Sequence, residues 1–204
     1  MRLVFFAAVA ALLLGATAAR ADTLIETFDG GPALDGILTP GTDGPWTLSI
    51  AGGNAVLENG SEPGAIKFYR IDSLRGGASL DGAAVAVDVG GDFPGETSGA
   101  GLLYRFDADS RSYLAFVLGA DRWTLYQRGN EGVRARVAGK LPAGGTGPRR
   151  LRIQPTDDKL VLEIDGQQLA SIQLSGMDGH GVGLVAIGTG RFDFDNFAVV
   201  PAGS

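Results

Sequence analysis

Three groups of residues in this chain of 204 have types and spacings that could do chemistry. The first is Tyr104, Tyr113, Tyr126, Arg128, Arg134 and Arg136. Tyrosine rings present flat apolar faces with a hydroxyl at the rim, and guanidinium forks add paired donors for a carboxylate or phosphate. Gathered on one face, these six would suit sugar rings or an acidic polymer. The second group, Asp107-Ala108-Asp109-Ser110, opens like a calcium loop, with oxygen ligands at alternate positions. Arg111 then occupies a ligand position, Ser112 replaces the needed glycine and no acid closes the loop, so a hairpin turn rich in Asp and Ser is the better reading. The third is His180, the only histidine, between Gly179 and Gly181. One histidine without cysteine cannot build an N/S zinc site, so the composition leaves open only oxygen-ligated calcium and otherwise no cofactor. No serine sits in a G-x-S-x-G elbow, and His180 reads as an exposed turn residue.

Short strands must position these groups. Glycine, at 33 residues, is about twice its usual share of about 7%, and it punctuates short apolar runs. Fourteen strands are expected: Leu24 to Phe28, Trp46 to Ile50, Asn54 to Glu58, Ala65 to Arg70, Ala83 to Val89, Gly101 to Asp107, Tyr113 to Leu118, Arg122 to Arg128, Val133 to Ala138, Arg150 to Gln154, Lys159 to Ile164, Gln167 to Leu174, Val182 to Ile187 and Phe192 to Val199. Asp165-Gly166 suits a two-residue type I′ hairpin, in which both central residues need positive φ. In the last strand Phe192 and Phe194 point one way and Phe197 and Val199 the other, so a bulge is expected at Asp195-Asn196. After residue 21 no segment carries the apolar repeat of a helix. The expected fold is all-β, an antiparallel two-sheet jelly-roll sandwich of about 12–14 strands.

Strand register turns these segments into faces. With Asp107 to Ser112 as one turn, Phe106 faces Tyr113 and Tyr104 faces Ala115; with Gly119 to Arg122 as the next, Ala115 faces Tyr126 and Tyr113 faces Arg128. Tyr104, Tyr113, Thr124, Tyr126 and Arg128 then share one face. Leu103, Leu114, Phe116, Leu118, Trp123 and Leu125 form the core face, with Arg105 at its rim. An even-length loop before Val133 would bury Arg134 and Arg136, at several kcal/mol per unpaired charge, so an odd register is expected. It sets both arginines beside Tyr126 and Arg128.

Taken in order, GLLYRFDADSRSYLAFVLGADRWTLYQR, RLRIQPTDDKLVLEIDGQQLASIQL and GVGLVAIGTGRFDFDNFAVV resemble the concanavalin A-like jelly-roll superfamily. The laminin-G-like and 3-keto-disaccharide hydrolase (DUF1080) domains of exported bacterial proteins are the nearest in pattern, over roughly Thr23 to Val200. The resemblance implies a sandwich whose concave sheet often binds sugars; the fold alone decides no function. Against the hydrolase-like members, Ser98-Gly99 and Arg105 are kept, but Thr97 stands in place of Asn. The acid of the following strand falls near Ala115, and the Gln and His after Gly-x-Gly-Leu are replaced by Val185 and Ala186. Glycosidases of the superfamily hold two carboxylates on one strand in E-x-D-x-x-E, because both must flank one glycosidic bond. The nearest string here, Glu163-Ile164-Asp165-Gly166-Gln167-Gln168, ends in Gln and is broken by the turn, which leaves Glu163 facing Arg150 in an exposed hairpin. No catalytic residue is expected.

Residues 1–21 read as a signal peptide: Arg2, an apolar run from Leu3 to Leu14, then Ala19-Arg20-Ala21 as a small-x-small cleavage site. The apolar run is too short to span a bilayer. Removing it takes Arg2 and Arg20, so 17 basic residues fall to 15 against 23 acids, a net charge of −8 on one domain, 22–204. Such an acidic surface disfavours nucleic acid. The expectation is a periplasmic or secreted protein with no membrane span: a non-catalytic binding module for a carbohydrate or an acidic surface polymer. A 3-keto-disaccharide hydrolase-like glycosidase and a scaffold or adhesion domain with a protein partner are the other readings.

Overall fold

The computed structural model describes residues 23–30, 34, 37–74, 77, 79–174 and 177–203; the leader and its cleavage position lie outside them. Fifteen strands form two antiparallel sheets among the described residues. The larger runs in the order β13 (Gln167–Gln173), β12 (Lys159–Ile164), β11 (Arg149–Pro155), β6 (Ala84–Asp92), β15 (Gly190–Val200), β4 (Asn54–Asn59), β3 (Trp46–Ala51), β2 (Gly41–Asp43), and β1 (Leu24–Glu26) also pairs with β15. The smaller runs β10 (Gly132–Lys140), β9 (Arg122–Gly129), β8 (Tyr113–Leu118), β7 (Gly99–Phe106), β14 (Gly181–Ile187), β5 (Ile66–Ile71). All fourteen expected strands are present. The additional one, β2, is three exposed residues, Gly41-Thr42-Asp43, with no apolar alternation to betray it.

Alternation builds the core between the sheets. Val85, Val87, Val89, Leu151, Ile153, Leu160, Leu162 and Ile164 from the large sheet meet Leu102, Leu114, Phe116, Leu118, Trp123 and Leu125 from the small one in a single buried cluster. Phe116 and Trp123 meet edge to face, ring centroids 6.0 Å apart at 79°. A cation of the small sheet bridges each lateral opening: Lys67 pairs with Asp43, and Arg136 Nη2 donates to the Gln173 carbonyl at 3.4 Å.

Local chemistry explains two irregularities read from sequence. Asp165 and Gly166 both have positive φ, 51° and 76°, and close the β12–β13 hairpin with Ile164 opposite Gln167. On β15 the pairing with β6 slips between Asp195 and Ala198, and Asn196 sits at φ 49°. Its amide Nδ2 donates to Asp88 Oδ2 at 2.8 Å and Asp195 Oδ2 at 3.1 Å, while its backbone N–H donates to Asp195 Oδ1 at 2.6 Å, so the bulge is held by side chains. One cross-strand pair differs from expectation: Glu163 lies opposite Arg152, with Oε2 3.5 Å from Nη1, and the Arg150 guanidinium turns to Asp88 instead. The ladder pairs Leu151 with Ile164, two residues away from the assumed register.

Candidate functional site

The β8–β9 register is as the turn lengths imply, with Tyr113 opposite Arg128 and Ala115 opposite Tyr126. These residues share the outer face of the six-stranded sheet, the face turned away from the main core. Two other register expectations fail, and they redistribute the six candidate residues.

The first correction is Tyr104. Arg105 adopts a left-handed conformation, φ 52°, and the β7–β14 ladder slips there, with Gly181 opposite Phe106 but Gly183 opposite Leu103. The bulge inverts the strand's phase. Tyr104 therefore pairs with Leu114 and enters the main core, 1% exposed, while Leu103 pairs with Ala115 on the outer face. The Tyr104 hydroxyl donates to the Ala83 carbonyl at 3.1 Å, and burial pushes its pKa up to about 12. The stability from this group is complete below the ordinary tyrosine pKa near 10 and is lost as pH rises through about 12. Tyr104→Phe should cost about 1 kcal/mol at neutral pH and flatten the decline between about pH 10 and 12. Urea unfolding at several pH values measures both; an unchanged alkaline decline would refute the assignment.

The second correction is the β9–β10 hairpin, which has the even register: Gly132 pairs with Gly129, so Val133 and Ala135 lie beside Arg128 and Tyr126, while Arg134 pairs with Gln127 on the other face. Arg134 escapes the expected burial cost because β10 is an edge strand and the side chain stays exposed there. Arg136 is the extra residue of a bulge between Ala135 and Val137, and it reaches Gln173 of the other sheet. Neither arginine joins the tyrosine face.

The face gains residues in their place. Phe68 and Arg70 of β5 pair with Val185 and Gly183 of β14 and so lie on this outer face. Phe68 and Tyr113 sit on strands with β14 and β7 between them, a separation of about 14 Å on a flat sheet. Their ring centroids are only 6.2 Å apart. The side chains thus converge over the middle strands, where Leu103 and Val185 are buried together with Ala115 of β8 in a second apolar cluster. Phe106 stacks with Tyr113 at 6.2 Å and 11°, and the Arg70 guanidinium lies 4.6 Å over the Phe106 ring. Tyr113, 4% exposed, is a support inside this arch, whereas Phe68 is 36% exposed and Tyr126 half-buried at its rim. Sequence reasoning missed Phe68 and Arg70 because alternation in Ile66-Lys67-Phe68-Tyr69-Arg70 shows that they share a face, but not which sheet that face belongs to.

Arg128 is half-buried, and its guanidinium has no hydrogen bond or ion pair among the described residues. Beside it a depression of about 400 Å³ is lined by Gln127, Asn130, Asp107, Ser110 and Asp178. Its rim is the Asp107 to Ser112 turn. The Asp107 carboxylate accepts the Ser110 backbone N–H at 2.7 Å and hydroxyl at 2.8 Å, and these bonds hold its pKa below the usual carboxylate range. The carboxylate thus serves the turn, and no group of three or more acidic or histidine side chains that could hold a metal occurs among the described residues. His180 is exposed, its Nδ1 3.1 Å from Asp81 Oδ1.

Paired carboxylates occur on the other sheet. Asp88 and Asp195 face each other across β6 and β15, but Asp88 is engaged by Arg150 and Asn196, and Asp195 by Asn196.

No family model and no curated protein matches the chain. Solved structures do. Carbohydrate-binding module CBM66 from Bacillus subtilis superposes with a TM-score of 0.55 at 14% identity, over 74% of this chain and 88% of that one. A protein of unknown function with a galectin-like fold, also from Bacillus subtilis, gives 0.66 at 12% identity over 89% and 96%. The laminarinase catalytic domain from Thermotoga maritima gives 0.60 at 13% identity over 91% and 98%. At such identities the likeness shows the fold alone, an antiparallel two-sheet sandwich.

Proposed function

We propose that this protein is an exported, non-catalytic module that binds a glycan or an acidic surface polymer on the outer face of its six-stranded sheet. The observation that carries the reading is Arg128: a half-buried residue whose guanidinium has no carboxylate partner, on the same face as Tyr126 and at the end of an aromatic arch. Unpaired donors in a partly dry setting favour a ligand that brings its own acceptors, such as ring hydroxyls, carboxylates or sulfate groups. Phe68 and Tyr126 supply apolar surface for the C–H faces of the rings, and Arg70 adds a second cation. Solved structures of this architecture that are named as a carbohydrate-binding module and as a laminarinase agree with such a ligand class. Export rests on the leader, Arg2 to Ala21.

A glycan array probed with the mature chain tests the reading. Binding to at least one glycan is expected without release of sugar, and Tyr126→Ala and Arg128→Ala should each weaken it about tenfold, the equivalent of about 1.4 kcal/mol. A chain that binds no glycan, or whose binding survives both substitutions, would refute the assignment.

A further inference from the structure

The six-stranded sheet ends at β10 on the side where the larger sheet ends at β13, and the contact of Arg136 with the Gln173 carbonyl joins the two edges. β10 runs for nine residues and is exposed at all of them except Val137 and Gly139. Among the described residues its only ladder is to β9, so the N–H and C=O groups that it turns the other way have no backbone partner. Arg136 spans the gap through its side chain, by one long bond of 3.4 Å, and the β10 backbone stays open.

From Gly132 to Thr156 the chain has no acidic residue and six cations: Arg134, Arg136, Lys140, Arg149, Arg150 and Arg152. The three on β11 are compensated, Arg149 by Asp165, Arg150 by Asp88 and Arg152 by Glu163. The three on β10 make no ion pair among the described residues, on a domain that is acidic as a whole. Cations and a bulge are common guards on an edge strand, and both are present here, the bulge at Arg136. They guard against a second copy of the chain, because β10 laid against β10 would bring like charges together. They do not guard against an acidic strand. Beside this edge the core is also incompletely covered. Val137 pairs with Leu125, Ala170 with Leu162 and Ile172 with Leu160, so all three face the core, yet each is only half-buried.

We propose that β10 is a docking edge for an extended acidic segment of a partner polypeptide, which adds to the six-stranded sheet as a further strand. Main-chain hydrogen bonds to the open side of β10 supply affinity, and side chains supply selectivity. Carboxylates of the segment pair with Arg134, Arg136 and Lys140, Arg136 exchanging its long bond to a neutral carbonyl for a charged acceptor. Apolar residues of the segment close over Val137, Ala170 and Ile172. An acidic glycan would meet the same cations, but it offers no backbone to complete a ladder and gains nothing from the open edge. The docking edge is independent of the sugar-binding reading of the Tyr126 and Arg128 face.

Titration of the isotopically labelled mature chain with a short capped peptide of alternating Glu and Val, followed by amide NMR, tests it. The peptide should shift the amides of β10, Ala170 and Ile172 and slow the hydrogen exchange of the β10 amides. The same peptide with every backbone N–H methylated keeps its charges but loses its donors, and it should bind at least tenfold more weakly. A peptide of alternating Lys and Val should not bind the parent chain. Arg134→Glu combined with Lys140→Glu, both at exposed positions, should melt like the parent, weaken the Glu peptide at least tenfold and admit the Lys peptide. No shift at β10, equal binding of the methylated or the Lys peptide to the parent chain, or undiminished binding of the Glu peptide to a folded charge-reversed chain overturns the proposal. Concentration-dependent shifts of β10 without peptide overturn it in favour of a second copy. Shifts of β10 with polygalacturonate and none with the Glu peptide overturn it in favour of an acidic glycan.

Discussion

Phe116→Ala should lower the unfolding free energy by about 3–5 kcal/mol. The side chain is fully buried on the core face of β8, with Leu102 and Leu125 as its partners on the flanking strands and the edge of Trp123 against its ring. Its removal takes away both transfer energy and packing, and the β-sheets on either side are too constrained by their ladders to collapse into the space. Tyr126→Ala, half-buried on the opposite face of the same sheet, should change stability far less. Urea denaturation of the two variants side by side reads the difference as a shift in midpoint at constant slope. A loss below about 1 kcal/mol for Phe116→Ala would mean that the assigned core face is wrong.

Gly183→Ala should be at least as damaging, about 3 kcal/mol or more, for a different reason. Gly183 has no unusual backbone conformation; what it lacks is room. A Cβ at this position would lie 1.9 Å from the Tyr69 carbonyl oxygen and 2.9 Å from the Arg70 Cα, both backbone atoms of the paired strand β5. A flexible side chain could swing aside, but a backbone atom can retreat only if β5 and β14 part and surrender their hydrogen bonds. Since β5 carries Phe68 and Arg70, the same substitution should also disrupt the aromatic arch. Gly129→Ala is the control, because a Cβ there meets nothing within 4 Å. Denaturant unfolding combined with hydrogen exchange of the β5 and β14 amides tests the pair: wild-type protection in Gly183→Ala would refute the steric argument.

The sequence by itself determined the elements whose signals are local. Short apolar runs punctuated by glycine, several of them alternating with period two, revealed fourteen of the strands. Asp165-Gly166 announced its hairpin, since few dipeptides tolerate two successive positive φ angles. The bulge at Asp195-Asn196 was legible because it breaks the phase of four large apolar residues within one strand. The β8–β9 pairing of Tyr113 with Arg128 and Ala115 with Tyr126 followed from turn length alone.

Tertiary structure decided which of these strands share a sheet, and where a strand changes phase without a change in its apolar pattern. Leu102-Leu103-Tyr104-Arg105-Phe106 offers large side chains to both faces, so only the ladder to β14 reveals that Arg105 takes the left-handed conformation that sends Tyr104 into the core. Arg134 was placed by a burial cost that applies to an interior strand, but β10 is an edge, where a charged side chain on the inward face still reaches water. Phe68 and Arg70 lie roughly 45 residues before Tyr113 in the chain. Their approach depends on β14 coming between β5 and β7, a nonlocal pairing that no property of the β5 segment encodes.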